Sequence, residues 1–104
     1  MSGPPQHTED ARRAALAKAA EARRVRADLK ARLKDGSLTF RALLSMAETD
    51  ELVAGTKVLT VLESLPGVGK VKSRRTMERI GIAESRRLRG LGDKQRRELL
   101  AVFG

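Results

Sequence analysis

The stretch ESLPGVGKVKSRR, residues 63–75, gathers residue types that hold phosphate: Pro66, Gly67 and Gly69, then Lys70, Lys72, Arg74 and Arg75. Proline fixes one backbone angle, and the glycines admit a tight turn that brings main-chain amides close to a ligand. If a helix begins just beyond the turn, its unpaired N–H groups and its dipole face an anion. Lys70 and Lys72 then place cations beside that anion, and Val68 can point inward to anchor the turn. None of this needs a side chain that reads a base edge, which suits recognition of a phosphate backbone. A nucleotide is excluded by spacing. In a P-loop the first glycine would fall at Ser64 and a hydroxyl would follow Lys70, where this chain has Val71. Two glycines with no surrounding βαβ unit also fail the dinucleotide fingerprint.

A second cluster follows. ESRRLRG (84–90) carries Arg86, Arg87 and Arg89, with Glu84 the only acid close by in sequence. These arginines read as contacts to phosphate or the minor groove rather than as a solvated turn. Gly90-Leu91-Gly92 echoes Gly67-Val68-Gly69 twenty-three residues later, again opening into a basic helix start. The echo predicts two similarly built turns acting as paired backbone clamps, joined with Arg86, Arg87 and Arg89 in one cationic surface. Arg74 and Arg75 have a plainer alternative, since Glu78 can pair with either at i+4 or i+3. Arg12, Arg13, Arg23, Arg24 and Arg26 read as a solvated helix face, with an auxiliary role toward DNA.

The charge balance agrees. The 104 residues carry 22 Lys and Arg against 13 Asp and Glu, a net +9. Residues 1–52 hold ten basic and eight acidic side chains, residues 53–104 twelve and five. The excess therefore sits in the half that contains both glycine turns, which points to nucleic acid. There is no Cys and a single His, His7, so neither a disulfide framework nor a His/Cys metal site is available, and no cofactor is implied. No signal peptide or membrane span is visible, and the expected home is the cytoplasm, on the nucleoid. Absence of Trp and Tyr disfavours single-strand binding by base stacking.

The elements that must position these residues read as all-α. Residues 1–7 read as a disordered lead-in. Residues 8–35 read as one long charged helix, N-capped by Thr8, whose bulky apolar residues come late, at Val25, Leu29 and Leu33; only its C-terminal half should dock. Residues 37–104 read as a compact helical domain. Leu38, Phe40, Leu43, Leu44 and Ala47 share one helical stripe, and residues 50–55 form a helical turn. A helix over 56–65 is capped by Thr56. Another from Lys70 to Arg79 buries Val71, Met77 and Ile80 and stops at Gly81. A last helix, N-capped by Asp93, runs to Phe103 with Leu99, Leu100 and Phe103 inward.

LPGVGKVKSRRTM looks like a helix-hairpin-helix or helix-two-turn-helix element, with small Ser73 where two helices must pack closely. The longer run from LTVLESLPGVGK to ELLAVFG, with the N-terminal AALAKAAEARRVRADLKARLKDG, resembles the actinobacterial integration host factor family over roughly residues 9–104. SRRLRGLGDKQR is its most specific part. Where that family usually reads Gly-Lys-Met-Lys-Val before the hairpin, this chain has AGTKV, one lysine fewer. The resemblance implies a non-enzymatic protein that binds double-stranded DNA, bends or compacts it, and supports site-specific integration with a phage-type integrase. It also implies DNA contacts at Pro66, Gly67, Gly69, Lys70, Arg86, Arg87 and Arg89. Counting the echo and the adjoining cations, the candidate contacts are these with Lys72, Arg74, Gly90 and Gly92, on a monomer. Two alternatives share the turn. A DNA glycosylase would place its lysine nucleophile where this chain has Val71, and a ribosomal protein of the S13 type would carry a long basic C-terminal tail for RNA.

Overall fold

The structure, a computed structural model, describes residues 4–104, with side chains described from Thr8 onward. Among the described residues, six α-helices and one 3₁₀ turn make an all-α fold: α1 (Pro4–Lys34), α2 (Phe40–Ala47), α3 (Glu51–Ala54), α4 (Val58–Ser64), α5 (Gly69–Ile80), the 3₁₀ turn Leu88–Gly90, and α6 (Asp93–Phe103).

α1 begins at Pro4, a full turn ahead of the expected start. Proline suits a helix's first turn because its missing N–H would be unpaired there anyway. Thr8 therefore lies inside the helix rather than at its cap, and residues 4–7 of the expected lead-in are helical; residues 1–3 lie outside the described residues. Only the C-terminal half docks. Leu29 and Leu33 are buried and Val25 packs against them, while Leu16 is 63% exposed. This half lies against α3 and α4. A 31-residue helix is about 46 Å long, so the rest of α1 projects. The radius of gyration is accordingly 16.6 Å, against about 13 Å for a compact chain of this length.

The remaining helices close around a core of Leu38, Phe40, Leu43, Leu44, Val53, Val58, Val61, Leu62, Met77, Ile82, Leu88, Leu91 and Leu99, together with the two α1 leucines. Gly36, at φ +82°, turns the chain out of α1. Thr39 caps α2 by accepting from the Ala42 N–H at 3.1 Å, and Asp50 caps α3 by accepting from Leu52 and Val53. Thr56 does not cap α4. It is buried, its hydroxyl donates back to the Leu52 carbonyl at 3.3 Å, and Lys57 opens α4 without a side-chain cap. Around it, Val58 N–H donates to Arg86 O and Leu88 N–H to Thr56 O, both at 2.9 Å, in a lone antiparallel bridge that ties residues 86–88 to the start of α4.

α5 packs on α4 through small and hydroxyl residues. Ser73, Thr76 and Met77 are buried and Ile80 is half-buried, whereas Val71 is 65% exposed. Val71 stands six residues from Met77, about 240° around the helix, so apolar character at that position does not place it inside. Gly81, at φ +89°, ends α5. α6 starts with Asp93 in its first turn, while Gly92 is the capping position. Its Phe103 meets Phe40 edge to face, ring centroids 6.4 Å apart.

Candidate nucleic-acid interface

Leu65 is extended, at φ −68° and ψ 143°, as a residue before proline prefers. Beyond Pro66 the chain alternates hand: Gly67 at φ +73°, Val68 at φ −87°, Gly69 at φ +74°. A Cβ at either glycine would meet nothing within 4 Å. Glycine is therefore required here by conformation and not by crowding. Alternating hands are the geometry of an anion-binding nest; the Val68 N–H is turned back onto Leu65 O at 3.3 Å, so the amides on offer are those of Gly67, Gly69 and Lys70. Val68 is half-buried, and it gives α5 no side-chain cap, leaving the helix start open toward a ligand. The turn is fixed from behind, where buried Ser73 Oγ donates to the Gly69 carbonyl at 2.6 Å.

Gly90 and Gly92 build a different turn. Neither has a positive φ; Gly92 sits at φ −77°, ψ 163°. The amides of Gly90, Leu91 and Gly92 donate to Arg87 O, Leu88 O and Gln95 Oε1 respectively, and Leu91 is buried. This segment thus has no row of open amides, and the two turns are not similarly built. Nor do they adjoin. Gln95 Nε2 donates to Gly81 O at 3.3 Å, which sets the second turn at the C-terminal end of α5. The first turn is at the N-terminal end of the same helix, about 18 Å away.

The cations divide accordingly. At the first turn Lys70 is exposed, and Lys72 lies over the Phe103 ring, 5.9 Å from its centroid. Arg74 pairs with Glu84 at 3.5 Å instead of with Glu78. At the second turn the arginines are held internally more than their sequence neighbourhood suggests. Arg86 Nη1 donates to Gly90 O at 2.9 Å and to Gln95 Oε1 at 2.8 Å. Arg87 Nη1 donates to Gly55 O. The Arg89 guanidinium covers Gly55, where a Cβ would lie 2.7 Å from Nη2, and it borders a hollow shared with Glu48, Asp50 and Glu51. Among the described residues none of the three forms an ion pair, and Arg87 and Arg89 are exposed.

A third set extends the auxiliary helix face that included Arg23 and Arg26 by two lysines the sequence reading passed over. Lys30 and Lys34 of α1, with Thr60, Glu63 and Ser64 of α4 and Gly69 and Lys70 of the turn, line an open groove of about 440 Å³. A neighbouring hollow of about 340 Å³ adds Arg23 and Arg26. The signal was in the spacing: 23, 26, 30 and 34 share one helix face. Three of the four acids of α1 are paired off this face, Glu9 with Arg12, Glu21 with Arg24 and Asp28 with Arg32, and the fourth, Asp10, lies far toward its N-terminus. The groove therefore stays net positive, with three lysines against Glu63 of α4.

A family profile for the S13-like H2TH domain matches residues 33–103, the part of the chain that holds both turns. The chain is 54% identical to the integration host factor of Mycolicibacterium smegmatis over 99 residues, 95% of this chain and 94% of that protein. It is 54% identical to the integration host factor of Mycobacterium tuberculosis over 100 residues, 96% and 95% of the two chains. The Streptomyces coelicolor integration host factor is 47% identical over 100 residues, 96% and 94%. A solved structure of sIHF bound to an 8-base-pair palindromic DNA has a TM-score of 0.80 at 47% identity, covering 84% of this chain and 98% of that one. With relatives this similar over nearly the whole chain and a domain profile spanning both turns, the protein belongs to the integration host factor family, built on an S13-like H2TH domain.

Proposed function

We propose that the protein is a non-enzymatic architectural factor that binds double-stranded DNA through its phosphate backbone and bends or compacts it in support of site-specific integration. The carrying observation is the alternating-hand turn Gly67–Val68–Gly69 opening onto the uncapped start of α5 and the exposed Lys70. Pro66, Gly67, Gly69 and Lys70 cradle one phosphate. Arg87 and Arg89 hold backbone at the other end of α5, with Arg74 and Lys72 along the helix between. Gly90 and Gly92 shape the second grip and offer it no amides. The α1 stripe of Arg23, Arg26, Lys30 and Lys34 meets a further stretch of backbone, which lets a monomer bend or bridge DNA. Sequence preference follows from DNA deformability, since among the described residues no set of side chains is organised to read base edges. The setting is the cytoplasm, on the nucleoid, with a phage-type integrase as companion in a nucleoprotein complex.

The test is a titration against duplex DNA, single-stranded DNA and structured RNA of equal length, at 50 and 200 mM salt. With five to seven phosphate contacts, log K against log salt for duplex DNA should slope at about −5 to −6, a loss of about 10³-fold across that range. Equal duplex affinity at both salts would end the electrostatic reading. Preference for structured RNA would return the protein to the ribosomal reading that an S13-like domain also permits.

A further inference from the structure

We infer that Arg86 is a positioning residue: with Gln95 it forms a strut that presents Arg87 and Arg89 to DNA, and it does not itself grip a phosphate. The inference rests on the DNA-binding reading and sharpens one part of it. Of the three clustered arginines, Arg86 is the half-buried one, while Arg87 and Arg89 are exposed. Its Nη1 has two hydrogens, and both are used, one on Gly90 O at 2.9 Å and one on Gln95 Oε1 at 2.8 Å. The end-on edge of the guanidinium, which needs Nη1 and Nη2 together, is thus taken up, and only the Nε–Nη2 side stays open to an anion.

Each partner of that nitrogen ties a different element. Gly90 closes the 3₁₀ turn that carries Arg89. Gln95 Oε1 also accepts from Gly92 N–H at 3.0 Å, fixing the start of α6, while Gln95 Nε2 reaches Gly81 O at the end of α5. The Arg86 main chain is anchored as well, its carbonyl accepting from Val58 N–H. The fit is close, since a Cβ on Gly90 would lie 2.9 Å from Arg86 Cδ. Gly90 is therefore glycine to let the Arg86 stem pass, and the glycine–arginine–glutamine set forms one joint. A lysine at 86 would keep the charge but lose the planar group whose single nitrogen spans two acceptors.

Duplex affinity is measured over a salt series for Arg86→Ala, Arg86→Lys, Gln95→Ala, the Arg86→Ala/Gln95→Ala double variant and Arg87→Ala, with thermal melts as a control. Loosening the presented side chains should weaken binding by about fivefold to tenfold in Arg86→Ala, Arg86→Lys and Gln95→Ala alike. The salt slope should stay at the wild-type value in all three, and the double variant should bind no worse than Arg86→Ala. Arg87→Ala, which removes a contact, should reduce the slope by about 0.9. A slope reduced by that amount in Arg86→Ala, wild-type affinity in Arg86→Lys, or wild-type affinity in Gln95→Ala would each overturn the strut. Amide exchange in the free protein separates this from failure of the DNA reading: Gly90 and Leu91 should exchange faster in Arg86→Ala and Gln95→Ala whether or not duplex is bound. Unchanged exchange at both would refute the strut on its own.

Discussion

Replacing Gly67 or Gly69 by alanine separates what the turn does for the fold from what it does for a ligand. Both residues hold a left-handed φ, +73° and +74°, and an added Cβ meets nothing within 4 Å. The native-state cost is therefore conformational strain alone, about 1–2 kcal/mol per residue. Against it stands the smaller conformational freedom of alanine in the unfolded chain, about 0.4–1 kcal/mol. The net loss is about 1 kcal/mol at each site, a fall in Tm of about 4–8 °C for a domain of this size. Gly81 is the internal control. It caps the far end of α5 at φ +89°, also with open space around its Cβ position, so Gly81→Ala should lose the same stability. Duplex affinity measured well below every Tm should then divide the set: Gly67→Ala and Gly69→Ala weaken binding at least tenfold by misaiming the amides, and Gly81→Ala, which keeps the carbonyl that Gln95 Nε2 meets, loses far less. Asparagine, which tolerates the left-handed region, should recover stability at position 67. If all three alanine variants lose affinity equally, or none does, the nest at Gly67–Gly69 is not where phosphate is held.

Charge reversal of Lys30 and Lys34 together should flatten the salt slope while leaving Tm within about 2 °C, because both side chains are exposed beside the groove. Leu33→Ala should cost about 2–5 kcal/mol, since Leu33 is 1% exposed at the docking point of α1; Leu16→Ala should change stability by less than about 0.5 kcal/mol. Ser73→Leu should destabilise by at least about 1–3 kcal/mol through overpacking between α4 and α5, whereas Val71→Ala should be nearly neutral. A duplex-binding salt series checks the slope, and chemical or thermal denaturation followed by circular dichroism checks the stabilities.

Helix order, the docking of α1 through its late leucines and the αL stop at Gly81 were legible because each follows from local spacing or a single residue's conformational preference. The misreadings share a cause: identity was given weight where partner geometry decides. Thr56 is a good capping type, but the chain at 56–58 is committed to the bridge with residues 86–88, a pairing across thirty residues that no local window contains. Val71 attracted an inward assignment because it is apolar. The buried positions beside it are Ser73 and Thr76, whose hydroxyls donate to the carbonyls of Gly69 and Lys72 and so can be enclosed without penalty. Arg23 and Arg26 were read as a solvated face with an auxiliary role toward DNA, and Lys30 and Lys34 were not added to them, because their relation to Lys70 depends on how α1 lies on α4.

The glycine echo is the most instructive of these cases. Glycine–apolar–glycine describes two letters and a spacing, yet a glycine can be required for its φ or for its missing Cβ. Gly67 and Gly69 are of the first kind, Gly90 of the second. The distinction bears on how DNA would be held. Two identical nests could share adjacent phosphates, but a nest at one end of α5 and a pair of arginines about 18 Å away at the other end cannot. On one face of a duplex, successive backbone crossings belong to opposite strands. Grips separated by that distance would therefore meet one strand through main-chain amides and the other through guanidinium groups, straddling a groove. The amides would demand a fixed phosphate position, and Arg87 and Arg89, both seated against Gly55, would present their guanidinium groups from an equally fixed base. Two grips held at a set distance would favour the groove width that matches them, and so the DNA sequences that deform to it most easily.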